Sequence, residues 1–383
     1  MNIQSVEKRT ERVLPSKVKF GNVDFTLHIT ILALVAIGIV MVYSASSYRA
    51  AMEEGDSMYF LKRQLISAVI GFISMFFMMN FDYHKIKKFI RPAIVITLGL
   101  LILVLFFPGR DDTRRWIPLG AFSLQPSEIA KYVLVALLAI LLERKKVNDN
   151  FIKGVLPYLV LGGLCAGLIY IEKNLSTTLI VIMVTLVMLF AAGKKLRYFI
   201  IMFAFVIAVG AYGILAADFR RGRIEAYLDP WEDAGNTGYQ ATQSFMSFGS
   251  GGLLGVGLGN SRQKCLYLPE PHNDFIFAII GEEFGLFGCI ILISLYFLLI
   301  YRGTLAAIRA KESFGCFLAA GIITVIGLQC FINMAVVTGI MPVTGVTLPF
   351  ISYGGSSLII NMAAMGILLN ITRQNNKTNN EYV

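Results

Sequence analysis

The amino-acid sequence predicts an all-α polytopic membrane protein of about ten transmembrane helices, with a large extracytoplasmic loop between helices 7 and 8. Three observations predict it. Hydrophobic residues make up 56% of the 383-residue chain and charged residues only 15%, too few to solvate a soluble domain of that size. Continuous apolar runs of helix length recur along nearly the whole sequence, without the two-residue alternation of a membrane β-barrel. Basic residues gather in every second segment between those runs, as the positive-inside rule requires of cytoplasmic loops.

Taken in order, residues 1–24 form a polar cytoplasmic segment rich in Lys and Arg. The run 25–45 is long enough to span. Tyr43-Ser44-Ala45 imitates a signal-peptidase site, but the polar lead is too long for a signal n-region, so a retained first helix is expected. Further spans fall at 61–80, 93–107, 127–142, 154–171, 175–192, 198–217, 273–301, 316–338 and 355–372. The clusters Lys85 to Arg91, Arg144 to Lys153, Lys194 to Arg197 and Arg302 to Lys311 fall in alternate loops and share the cytoplasmic side with both termini. The membrane domain is thus 25–372, followed by a polar cytoplasmic tail, 373–383. The opposite side holds 46–60, 108–126, the large loop 218–272, and 339–354.

The net charge of +10 does not indicate nucleic acid, because most Lys and Arg fall in short inter-span segments. Cys165, Cys265, Cys289, Cys316 and Cys330 show no metal-ligand spacing and read as packing residues rather than a disulfide framework. The charge rule is broken on the outer side by Arg110, Arg114, Arg115, Arg220, Arg221, Arg223, Arg262 and Lys264. Singly, each could serve an acidic lipid headgroup; together they point to an anionic ligand approached from outside, such as a lipid phosphate.

Four motifs stand out. In "QPSEIAK", Glu128 and Lys131 are three apart on one helix face near its outer end. They form either a structural ion pair or a cavity pair whose Lys131 meets a substrate phosphate. "SFGSGGLLGVGLGNSRQK" lacks the preceding strand of a nucleotide loop and reads as close backbone packing in a folded-back loop, while "MPVTGVTLPFISYGGSS" reads as a re-entrant segment. In "YLPEPHNDFIFAIIGEE", Asp274 lies where polar chain meets the eighth span, fit to be an ionised base, a metal ligand or merely a helix N-cap. Glu282 and Glu283 lie about two turns deeper and are expected to bond to neighbouring helices.

These motifs, with "MVYSAS", "YLDPWED…GYQATQS" and "LPFISYGGSS", resemble the SEDS family (shape, elongation, division and sporulation) in order and spacing over nearly the whole chain. "GNSRQKCLYLPE" and "PVTGVTLPFISYGG" are most similar to its FtsW and SpoVE subgroup. The resemblance implies a ten-helix fold and polymerisation of lipid II into glycan strands, for septal or spore-envelope synthesis, beside a class B penicillin-binding protein and other division or sporulation membrane proteins. By position it makes Asp274 the essential aspartate. Glu128 and Lys131 match its cavity pair, and substrate binding is assigned to them and to Asn174, to Arg115, Arg223 and Lys264 of the outer-side charges, and to Glu270, His272 and Ser356. The family's "QPDxGT" is degraded here to "EKNLSTT", with Asn174 at the acidic position. The implied chemistry is inverting glycosyl transfer with loss of undecaprenyl pyrophosphate, assisted by Mg2+ or Mn2+, for which the sequence supplies no ligand set. The rival readings are a lipid II flippase, which needs a polar path through the inner half as well, and a non-catalytic scaffold for the penicillin-binding protein.

Overall fold

A computed structural model describes residues 21–107, 113–120, 122–144, 151–195, 198 and 227–376. Its membrane helices are α1 (Phe25–Glu53), α2 (Tyr59–Asn80), α3 (Ile86–Leu103), α4 (Pro126–Arg144), α5 (Leu156–Ile171) and α6 (Leu175–Ala191). Helix α7 (Tyr239–Gly251) lies in the large loop, and α8 (Ile276–Ile308), α9 (Ser313–Val337) and α10 (Gly355–Asn376) complete the bundle. Among the described residues, α1, α2, the segment containing α3, α8, α9 and α10 are long and apolar enough to cross a membrane. The chain is a multi-pass membrane protein. Helix α4 carries Glu128, Lys131, Glu143 and Arg144, while α5 and α6 are shorter apolar helices. The predicted seventh span beyond Tyr198, and Arg110, Arg220, Arg221 and Arg223, lie outside the described residues.

Helix α9 packs against α4, α6, α8 and α10, and its residues are buried along most of its length. The bundle has two unlike ends. One gathers the two described ends of the chain: Gly21 N–H donates to the Arg373 carbonyl at 3.2 Å, and Asp24 caps α1 and pairs with Arg302 at 2.6 Å. Helix α3 begins at Ile86, seven residues before the predicted span, and runs through Pro92. Lys87 in its first turn is held by Glu143 of α4 at 2.7 Å, so neighbours stabilise a turn that the proline weakens.

The other end gathers the loops. A short hairpin pairs β1 (Ile117–Leu119) with β2 (Phe122–Leu124), inside the segment 108–126 that the sequence assigned to the outer side without any strand. The eighth helix starts at Ile276 rather than 273 and is broken at Gly285 (φ 65°, ψ −161°), a conformation open only to glycine. The glycine-rich segment folds back onto that break, as its composition predicts. Leu286 and Phe287 N–H donate to the carbonyls of Gly252 and Leu253, and Val256 and Gly257 N–H donate to those of Glu282 and Glu283. Backbone groups freed by the kink thus find partners without water. Residues 344–353 also enter the bundle as irregular chain: Val346, Leu348, Phe350 and Ile351 are buried, and Tyr296 hydroxyl donates to the Pro349 carbonyl.

Candidate functional site

Asp274 sits in the turn before α8. The cap position of that helix is Phe275, with no side-chain cap bond, so the N-cap reading of Asp274 does not hold. Asn333 of α9 fixes the turn instead: its amide donates to the Asp274 carbonyl at 2.7 Å and to the Val346 carbonyl at 2.6 Å. The Asp274 side chain is half-buried and faces the re-entrant segment. A Cβ on Gly345, whose φ is +71°, would lie 3.1 Å from Asp274 Oδ2. No described residue hydrogen-bonds its carboxylate. Burial pushes its pKa up to about 6, helped by the negative charge of Glu270, while Arg115 pulls it back down.

Glu270, at φ +47°, receives Asn273 Nδ2 at 2.6 Å and Arg49 Nη1 of α1 at 3.3 Å. His272 is buried against Phe60 and Tyr353, with ring centroids 4.3 and 5.5 Å away. Burial and the charge of Arg49 lower its pKa to about 3. The neutral ring, 3.7 Å from Glu270, makes no ion pair there and serves as an aromatic wedge. Arg115 donates to the Lys173 carbonyl, tying the segment before the hairpin to the α5–α6 turn.

The other predicted residues are arranged differently. Lys131 is 1% exposed and donates to Glu128 at 2.7 Å. Ser357 donates to the other Glu128 oxygen, and Asn361 to Ser357, closing a network onto Tyr132. This is the structural ion pair rather than an ammonium lining an open cavity. Lys264 is likewise turned inward, 2.8 Å from Glu283 and 3.2 Å from Ser44 of α1, and does not join Asp274. Glu282 receives Ser261 hydroxyl and Arg262 N–H. Asn174 caps α6 by accepting from Thr177 N–H at 3.3 Å and reaches Ser127 at 3.4 Å, so its amide is spent locally. Among the described residues, the buried Ser356 hydroxyl has no partner. Ser356 lines a cavity of about 220 Å³ with Ile70, Ser123 and Leu124. That cavity shares Ile129, Ile359 and Ile360 with an apolar cavity of about 400 Å³ between α2, α3, α4, α9 and α10. Asn333, Gly345 and Arg49 were missed by sequence reasoning; only the glycine, in a proline-broken segment, carried a local signal.

Among the described residues no group of three or more His, Cys, Asp or Glu could hold a metal ion. Asp274 with nearby Glu270 supplies at most a pair of carboxylates.

Fold and site together define a polytopic membrane protein with a raised-pKa aspartate and an arginine at the loop-bearing end of its bundle, beside an apolar path between helices. Comparison with known proteins gives the class its name. Residues 25–377 match the profile of the cell cycle protein family of FtsW, RodA and SpoVE, and the chain belongs to that family. It is 44% identical over 354 residues to a protein of Geobacter sulfurreducens named "Probable peptidoglycan glycosyltransferase FtsW", covering 91% of this chain and 95% of that one. It is 44% identical over 359 residues to stage V sporulation protein E of Bacillus subtilis, covering 91% and 97%. Among solved structures, a chain described under "Structural coordination of polymerization and crosslinking by a peptidoglycan synthase complex" aligns with TM-score 0.78 at 27% identity, over 92% of this chain and 98% of that one. Rod shape determining protein RodA of Thermus thermophilus aligns with TM-score 0.68 at 27% identity, over 91% and 97%.

Proposed function

We propose that this chain is a peptidoglycan glycosyltransferase that polymerises lipid II into glycan strands for septal or spore-envelope synthesis. The observation that carries this reading is the Asp274 carboxylate: half-buried, unclaimed by any described hydrogen bond, raised in pKa and within the electrostatic reach of Arg115. An acid with these properties can accept a proton near neutral pH. The acceptor sugar's 4-hydroxyl attacks the donor's anomeric carbon, Asp274 takes the hydroxyl proton, and the bond to the pyrophosphate oxygen breaks. Undecaprenyl pyrophosphate leaves with the electron pair, its charge drawn by Arg115. The apolar cavities beyond Ser356 suit the isoprenoid chain of such a substrate. A divalent cation, Mg2+ or Mn2+, would find Asp274 and Glu270 as its protein carboxylates and would neutralise the leaving group. EDTA should then slow the reaction, and full activity after thorough chelation would leave Asp274 as base alone.

The test is purified protein with lipid II and moenomycin, which blocks glycosyltransferases of the other fold, read as glycan polymer on a gel. Absence of polymer from folded protein would remove this reading. A flippase is disfavoured because the deeper polar side chains close on one another: Lys131 with Glu128, Lys264 with Glu283.

The site faces the outside of the cell in this reading, with both termini in the cytoplasm. The meeting of Gly21 with Arg373 at the end carrying Arg302, Arg309 and Lys311 supports that orientation. Cys265 then lies outside, and an impermeant thiol reagent should label it in intact spheroplasts; labelling only after permeabilisation would reverse the sides. A class B penicillin-binding protein as partner is supported by the synthase complex in which a structural neighbour was solved. It should change the polymerisation rate when co-purified, and an unchanged rate would count against a regulatory partner.

A further inference from the structure

Glu172 is the last-turn cap of α5 and is 0% exposed, yet among the described residues neither carboxyl oxygen has a hydrogen-bond partner. A buried ionised carboxylate without partners is among the costliest groups a protein can hold, whereas the neutral acid is tolerated. The turn that carries it is constrained. Lys173 has φ +60°, and its carbonyl is the acceptor of the Arg115 guanidinium. Arg115 is therefore fixed to the residue next to Glu172, and its field reaches both Glu172 and Asp274. The α5–α6 turn and the turn before α8, about a hundred positions apart in sequence, both feel the charge of Arg115.

We propose that Glu172 is a positioning residue for the anion of the substrate: held neutral, it leaves more of the Arg115 field to a lipid-linked pyrophosphate, and ionised, it opposes that field. The proposal rests on the glycosyltransferase reading for the identity of the anion. Burial raises the Glu172 pKa to about 8, against a lowering by Arg115, so the change of state falls between neutral and mildly alkaline pH. Among the described residues, the charged or titratable groups tied to it or to Arg115 are Cys165 two turns back on the same helix, the neighbouring Lys173, Asp274, which also feels Arg115, and Glu270, which acts on Asp274. Asn174, two residues on, is uncharged and occupied as the cap of α6, so it does not substitute for Glu172.

The experiment compares wild type with Glu172→Gln and Glu172→Asp. Undecaprenyl pyrophosphate in detergent is the probe, and its affinity is measured by thermal shift at pH 7 and pH 9. Wild type should bind about tenfold more weakly at pH 9, the scale expected of one added charge near the anion. Glu172→Gln should lose most of that difference, and Glu172→Asp should retain a pH dependence. Probe-free melting supplies a second readout. The folded-state pKa of this acid lies above its unfolded value, so wild type loses stability as pH rises from about 4.5 toward 8. Glu172→Gln should therefore gain in melting midpoint over wild type across that window and hold the gain above it. Equal pH dependence of binding in wild type and Glu172→Gln, or a melting gap that does not grow with pH, overturns the proposal while polymerisation of lipid II still upholds the reading beneath it. Failure of wild type to bind the probe at either pH overturns both.

Discussion

Two groups of carboxylates in this molecule are treated in opposite ways. Glu283 and Glu128 lie inside the bundle, and each meets a lysine at 2.8 or 2.7 Å and a serine hydroxyl. Asp274 and Glu172 lie at the loop-bearing end and take no hydrogen bond from described residues, although an arginine stands near both. The four described non-glycine residues with positive φ, Lys173, Leu266, Glu270 and Phe350, all lie at that same end. Such conformations cost about 1–3 kcal/mol each and persist only where surrounding structure enforces them. Paired charges within the membrane hold helices in place; unpaired acids on a strained scaffold are the pattern expected of a ligand site.

The sharpest way to break this contrast is to exchange charge for amide at each kind of site. Asp274→Asn should leave a folded protein with polymerisation reduced by roughly 10²–10⁴-fold, the worth of a general base. A near wild-type rate would make Asp274 a member of the structural class after all. Lys264→Ala should do the reverse. It strands Glu283 without its cation, a loss of about 3–5 kcal/mol, seen as low yield and early melting. The double change Lys264→Met with Glu283→Gln removes both charges and should recover most of that stability. If the single change melts like wild type, the inner pair contributes little to the fold.

Smaller effects sharpen the contrast. The raised pKa of Asp274 predicts that kcat/KM falls as pH drops through about 6, because the protonated acid cannot accept the hydroxyl proton. Arg115 lowers that pKa, so Arg115→Gln should move the acid limb upward; a limb that stays in place would dissociate the two residues. The smallest effect belongs to Asn174. As a helix cap, its replacement by alanine should cost about 0.5–2 kcal/mol of stability without displacing the acid limb.

The sequence alone determined the membrane bundle, most span positions and the chemical candidates. Hydrophobic run length, basic clusters and proline–glycine punctuation are local properties, and the bilayer imposes one answer on them. It also marked Asp274, by placing a carboxylate at the junction of polar and apolar chain. It could not tell which charges would neutralise one another. Lys264 and Glu283 are nineteen residues apart, and the contact exists only because the glycine-rich segment docks on the break at Gly285. Lys131 and Glu128 are close in sequence, but whether they face a cavity or Ser357 depended on how α10 packs against α4. Glu172 gave no signal at all: its burial, its missing partners and its nearness to Arg115 arise from three segments meeting at one end of the bundle. Charge is written in the sequence, but its solvation and pairing are decided by residues distant along the chain, and these separate a strut from a reactive acid.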